Sequence, residues 1–399
     1  MSCFRFSPVR ISLLLILALG LSACVSMQPG IGKPVSWSTL DGWESETLAE
    51  AWPAFEQSCR ALEKQSEQWN QICIEVRLLG EADEATRRAF LQARFIPHRV
   101  NPNSDNRDGL ITGYYEPLLE GSRTRTDRFR YAVFGRPDDL LVIDLGDVYP
   151  DLEGKRLRGR LNGNRVIPYY SREQIHNGGN PLKGKELLWV DDAVALFFLH
   201  IQGSGVVQLR DGRLVGVGYA DQNGYPYKAI GAALIRQEEI PREEISLQSI
   251  RDWLRNNPDK AEALMNSNPS YVFFDLREDV KQGPLGSLGV PLTGERSIAV
   301  DRSFIGLGLP VWLQTTLPNI EMPAEDNKEP VRDNKEQAFR RLVFAQDTGG
   351  AISGAVRADL FWGRGERAEE LAGRMKQPGR MFVLLPRPST HSEKIAAAR

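Results

Sequence analysis

Histidine and cysteine are scarce in this 399-residue chain, four of each. His98, His176, His200 and His391 are not spaced as a metal pair, and neither Cys59 nor Cys73 belongs to a Cys-x-x-Cys motif, so no metal site is expected. An excess of charge of one sign is also missing: 50 lysines and arginines face 52 acids, for a net charge of −2. That balance supplies no basic field, so no nucleic-acid partner is expected. At 41% hydrophobic and 26% charged, the chain can bury one large or two medium cores. The apolar run Ile11 to Leu21 is too short to span a bilayer as a stable helix.

That run follows Arg5 and Arg10, the arrangement of a signal peptide over residues 1–23. It ends in Leu21-Ser22-Ala23-Cys24, which resembles a bacterial lipobox. The resemblance implies cleavage before Cys24, acylation there, and a lipid anchor in the membrane. Val25 follows, where an aspartate would imply inner-membrane retention, so the expected location is the outer membrane of a Gram-negative cell, facing the periplasm. In that oxidising compartment Cys59 and Cys73 can form a disulfide, and two buried free thiols remain an equal alternative.

After the tether 24–35, helix is expected up to Phe95, with Leu48, Trp52, Phe55, Cys59 and Leu62 on one face. Thr47 and Glu50 form a candidate capping box, Pro53 a candidate kink, and a further helix starts after Asp83. From Gly109 the pattern turns to strands. Hairpins are expected around Asn162-Gly163 and Asp211-Gly212, with an apolar strand over Ala193 to His200. Helices return over Leu234 to Met265, and strands follow at Tyr271 to Leu276, Ser297 to Asp301 and Pro310 to Leu313. Pro318 to Gln337, dense in charge and proline, reads as a solvated insertion. Tyr114, Tyr115, Tyr219, Tyr225 and Tyr227, with Gln202 and Ser204 beside glycine-rich turns, are the equipment of a carbohydrate cleft: rings cover the apolar faces of sugars, and amides and hydroxyls bind their hydroxyls. For any one tyrosine, an ordinary strand position explains it as well.

The stretch Leu342 to Gly363 carries the chemistry. Asp347 and Asp359 stand twelve residues apart, each bordering an apolar run, with Gly349, Gly350 and Gly354 between them. Strand, glycine turn, strand is the reading. Two carboxylates held near each other perturb each other's proton affinity. Asp301 ends its strand as Asp347 does.

Arg296-Ser-Ile-Ala-Val-Asp301, Gly308-Leu-Pro-Val-Trp312, Ala345-Gln-Asp-Thr-Gly-Gly-Ala-Ile352 and Asp359-Leu-Phe resemble the three-aspartate domain of the membrane-bound lytic murein transglycosylase A family. Thr112-Gly-Tyr-Tyr-Glu-Pro117, Leu199-His-Ile-Gln-Gly-Ser-Gly205 and Gly218-Tyr-Ala-Asp-Gln-Asn-Gly224 are similar to segments of the same family, in the expected order. The resemblance implies a mainly β fold with helices: a double-psi β-barrel from residues 36–117 and 236–389, an inserted β domain at 118–235, a groove between them, and a tail at 390–399. It implies cleavage of the bond between N-acetylmuramic acid and N-acetylglucosamine in peptidoglycan strands, closing a 1,6-anhydro ring without a cofactor. A cell-wall synthesis or remodelling complex is a further expected partner. Asp359 matches the catalytic acid, with Asp347 and Asp301 as second choices. Thr112, Gly113, Tyr114, Tyr115, Gln202, Gly203, Ser204 and Tyr219 are the expected substrate-binding residues.

Two rivals come from other classes. Asp347-Thr348-Gly349 is also an aspartic-protease tripeptide, but no second Asp-Thr/Ser-Gly exists, so a protease would need a symmetric dimer. A glycan hydrolase or a non-catalytic glycan-binding module is the other alternative.

Overall fold

The computed structural model describes residues 29–102, 108–152, 155, 157–319 and 337–388. The signal peptide, Cys24 and the start of the tether, most of the charged insertion, and the C-terminal tail lie outside the described residues.

Six strands close into a barrel: β1 (Gly109–Glu116), β2 (Ser297–Val300), β3 (Pro310–Thr316), β4 (Ala338–Asp347), β5 (Arg357–Arg364) and β6 (Lys376–Pro386). Around the barrel the order is β1, β6, β3, β4, β2, β5 and back to β1. The pairs β2–β4 and β5–β1 are parallel and the other four antiparallel. This closed, mixed six-stranded barrel is the double-psi architecture implied by the resemblance, and closure leaves no free barrel edge. Strand alternation sends side chains to two cores. Ile111, Ile298, Val311, Leu313, Val343, Leu360 and Val383 fill the interior. Trp312, Leu342, Phe344, Phe382 and Leu384 point outward and pack against Trp52, Phe55, Ile72 and Phe90 of the N-terminal helices.

Those helices are Leu48–Leu62, Glu67–Leu78 and Glu84–Arg94, and the first runs through Pro53. The first two are joined by a Cys59–Cys73 disulfide, with Cα atoms 5.3 Å apart. The expected Thr47–Glu50 capping box is absent: Thr47 makes no side-chain cap. Glu84 instead accepts from the backbone N–H groups of Leu48 (2.8 Å) and Ala49 (2.9 Å). Glu50 accepts from Arg296 (2.7 Å) and Arg341 (2.9 Å).

Between β1 and β2 the chain builds a second lobe. Its six-stranded sheet runs in the order Val272–Arg277, Leu214–Gln222, Gly205–Leu209, Leu118–Ser122, Glu186–Val190 and Tyr131–Phe134, so it takes in a strand well beyond residue 235. Both predicted hairpins are present, Gly163 and Gly212 supplying positive φ at their turns. The predicted strand over Ala193 to His200 is corrected: Ala193–Gln202 is an α-helix, started by Asp192, whose side chain accepts from the N–H groups of Val194 and Ala195. It is buried on both flanks. Leu196 and Leu199 meet the sheet, while Val194, Phe197 and Phe198 meet helices Ile230–Arg236, Leu247–Asn256 and Pro258–Asn266. An all-round apolar run therefore carried no period by which to tell helix from strand.

The two lobes are riveted where the chain crosses between them. Glu116, 1% exposed at the end of β1, pairs through Oε1 with Arg277 from the end of the second sheet and through Oε2 with Arg364 from the end of β5.

Candidate active site

Four strands of the barrel present one row of side chains. Ala299 of β2 is in register with Asp347 of β4 on one side and Asp359 of β5 on the other, and Asp359 is in register with Thr112 of β1. The two aspartates are therefore not on paired strands, as a simple hairpin would place them. The turn carrying Gly349, Gly350 and Gly354 steps over β2, leaving two strand spacings, roughly 9–10 Å, between their backbones.

All these residues face away from the barrel interior. Their neighbours Ala358, Leu360, Ile298 and Val300 fill the core, whereas Tyr114, Ala299 and Phe361 form a separate outer cluster with Leu292 and Ile352. Tyr114 and Phe361 have ring centroids 5.1 Å apart and form an apolar floor.

Asp359 is partly exposed, and its Oδ1 accepts from the Thr112 hydroxyl at 2.8 Å. Burial pushes its pKa up to about 6; the Arg357 cation and the Thr112 hydrogen bond pull the other way, and the Asp347 charge adds to the rise. Asp347 Oδ2 accepts from Tyr114 Oη at 3.0 Å. Its Oδ1 accepts from the Ser287 N–H and hydroxyl, both at 2.9 Å, and from the Thr348 N–H at 2.8 Å. Burial raises its pKa too, against those hydrogen bonds. The residue before it, Gln346, is fully buried and donates to the Ala54 carbonyl (2.7 Å) and Ser58 Oγ (2.9 Å), fixing the end of β4 against the first helix.

Asp301 is held in a hydrogen-bonded turn. Its Oδ1 accepts from the Ser303 N–H (3.1 Å) and hydroxyl, and Oδ2 from the Gly354 N–H at 2.8 Å, so it ties down the loop leading to β5. Partial burial raises its pKa, but those hydrogen bonds prevail and hold it below the ordinary aspartate value.

The other predicted site residues divide by strand parity. Tyr115 is 4% exposed within the barrel core, and its backbone N–H donates to Gln202 Oε1 at 3.1 Å. A Cβ at Gly113 would lie 2.7 Å from Trp362 Nε1 and 2.8 Å from Ala372 Cα, so this glycine permits close packing of the helix Glu366–Arg374. Gly203, at φ 79°, ends the helix Ala193–Gln202, Ser204 is buried, and Tyr219 is 43% exposed on the second sheet. Thr112, Tyr114, Asp347 and Asp359 are brought together; Gly113, Tyr115, Gln202, Gly203, Ser204 and Tyr219 stand outside that row. Sequence reading missed Ser287 and Arg357. Ser287 lies in an irregular loop with no pattern to flag it, whereas Arg357 carried a usable signal, two residues before Asp359 on one strand face.

A closed double-psi barrel with an inserted β lobe and a row of hydrogen-bonded carboxylates defines the class. The model of the MltA specific insert domain matches residues 110–275, and that of the 3D domain matches residues 296–385. The chain is 33% identical over 283 residues to membrane-bound lytic murein transglycosylase A of Escherichia coli K12, covering 70% of this chain and 66% of that one, just under two thirds of that relative's length. A crystal structure of MltA from Neisseria gonorrhoeae is 34% identical with a TM-score of 0.72, covering 91% of this chain and 97% of that one. The crystal structure of E. coli MltA with bound chitohexaose is 26% identical with a TM-score of 0.63, over 91% and 95% of the two chains. The chain belongs to the membrane-bound lytic murein transglycosylase A family.

Proposed function

We propose that this protein is a lytic transglycosylase of peptidoglycan, cleaving the β-1,4 bond between N-acetylmuramic acid and N-acetylglucosamine with Asp359 as acid and then base. The observation that carries the reading is a partly exposed carboxyl on the outer barrel face that keeps its proton to about pH 6. The protonated carboxyl donates to the departing O4 of N-acetylglucosamine as the bond to C1 of the muramoyl sugar breaks. The C6 hydroxyl of that sugar then attacks C1 and gives its proton to the Asp359 carboxylate. This closes the 1,6-anhydro ring and restores the acid, so proton and bonds balance without water. An intramolecular nucleophile is already in place, so one carboxyl suffices where a hydrolase uses two. Asp347, held by Ser287, Thr348 and Tyr114, adds negative charge that keeps the acid protonated and stabilises positive charge developing at C1. Chitohexaose bound by the E. coli relative supports a glycan substrate. In the same reading, acylated Cys24 anchors the protein in the outer membrane, facing the periplasm.

Mass spectrometry of murein digested by wild type and by Asp359→Asn tests the reading. Wild type is expected to release anhydro-ended muropeptides. Asp359→Asn is expected to lose about 10²–10⁴-fold in rate, and Asp347→Asn less. Reducing ends would mean a hydrolase, and intact strands a binding module; either result overturns the proposal.

A further inference from the structure

Arg357 opens β5 two residues before Asp359 and on the same outer face. Its side chain is half-buried, donates one N–H to the Ala358 carbonyl at 2.6 Å, and has no carboxylate within 4.0 Å among the described residues. Other barrel arginines are compensated: Arg296 by Glu46 and Glu50, Arg341 by Glu50 and Glu295, Arg364 by Glu116. A half-buried guanidinium beside the candidate acid, with donors to spare and no carboxylate in direct contact, is a site for an anion.

We propose that Arg357 binds the free lactyl carboxylate of the muramoyl sugar whose bond is broken, making peptide-free glycan strands the preferred substrate. This rests on the reaction proposed above. Two residues along a strand span about 6.7 Å, which suits one ring held at both places, its C1 over Asp359 and its 3-O-lactyl group over Arg357. When a stem peptide is attached, the lactyl group is an amide, and the charge-assisted part of the contact is lost. Arg357 is the cation among the groups facing Asp359, which otherwise are Thr112 and Tyr114 from β1 and Asp347 from β4. An anion seated on it offsets its pull on the acid's proton, so correct binding also prepares the acid.

The test uses peptide-free glycan strands made by amidase treatment, either with free lactyl carboxylates or with those carboxylates converted to methylamides. Wild type should show a KM about tenfold or more lower for the free acids. Arg357→Ala should bring the two KM values together, Arg357→Lys should keep part of the difference, and Arg357→Glu should reverse the preference. A wild-type preference that survives both Arg357→Ala and Arg357→Glu, or no wild-type preference at all, overturns the inference while the transglycosylase reading stands. Failure of wild type to yield anhydro ends from either strand overturns both.

Discussion

Burial of Asp359 has consequences for both rate and stability. As an acid it must carry its proton, so kcat/KM should be level at low pH and fall tenfold per unit above about 6, which a pH–rate profile on soluble glycan measures. The Thr112 hydroxyl stabilises the carboxylate form; Thr112→Val should therefore move that falling limb to higher pH. For folding, the sign runs the same way. The folded pKa is raised from 3.8 to about 6, so the stabilising effect is full below 3.8 and is lost as pH rises through about 6. Asp359→Asn should consequently be more stable than wild type at neutral pH, by on the order of 3 kcal/mol, with the gain vanishing in acid; urea melts at pH 7.5 and pH 4 check it. The identities of Asp347 and Asp359 were legible in the sequence because short polar residues interrupt apolar runs beside glycines. Their relation was not, since Ala299, which sets their spacing, comes from a strand some fifty residues earlier.

Elements were readable where one face is apolar and the other polar, as in Leu48–Leu62 and Leu247–Asn256. Readability failed for Ala193–Gln202, which is buried between a sheet and a helical layer, and for the start of Leu48–Leu62, whose cap comes from Glu84 on another helix. That remote cap should matter. Glu84→Ala leaves two N–H groups without their carboxylate and is expected to cost about 1 kcal/mol in thermal unfolding. The Cys59–Cys73 bridge closes a short loop between the first two helices, so Cys59→Ala/Cys73→Ala is expected to cost about 3 kcal/mol, measured by calorimetry of oxidised wild type against the double variant. Both changes lie behind β4, so lost activity should follow lost folding rather than an altered KM.

At the scale of the whole molecule, the double-psi barrel followed from its ordered motifs, but the extent of the second lobe did not, because the strand Val272–Arg277 joins that lobe only through its pairing with Leu214–Gln222. The Glu116 rivet holds the lobes in one orientation. Glu116→Gln would remove the buried charge that holds part-buried Arg277 and the more exposed Arg364, a change expected to destabilise by about 1–3 kcal/mol. Chemical denaturation gives the magnitude.

The same rivet has an evolutionary and engineering corollary. Glu116 and Arg277 mark the departure and the return of the chain, and their side chains touch, so the two crossings lie side by side. A lobe with such neighbouring ends can be transplanted as a cassette: bridging 116 to 278 with a few glycines should yield a soluble barrel, and grafting a different lobe across the same gap would re-specify which polymer the row of carboxylates meets.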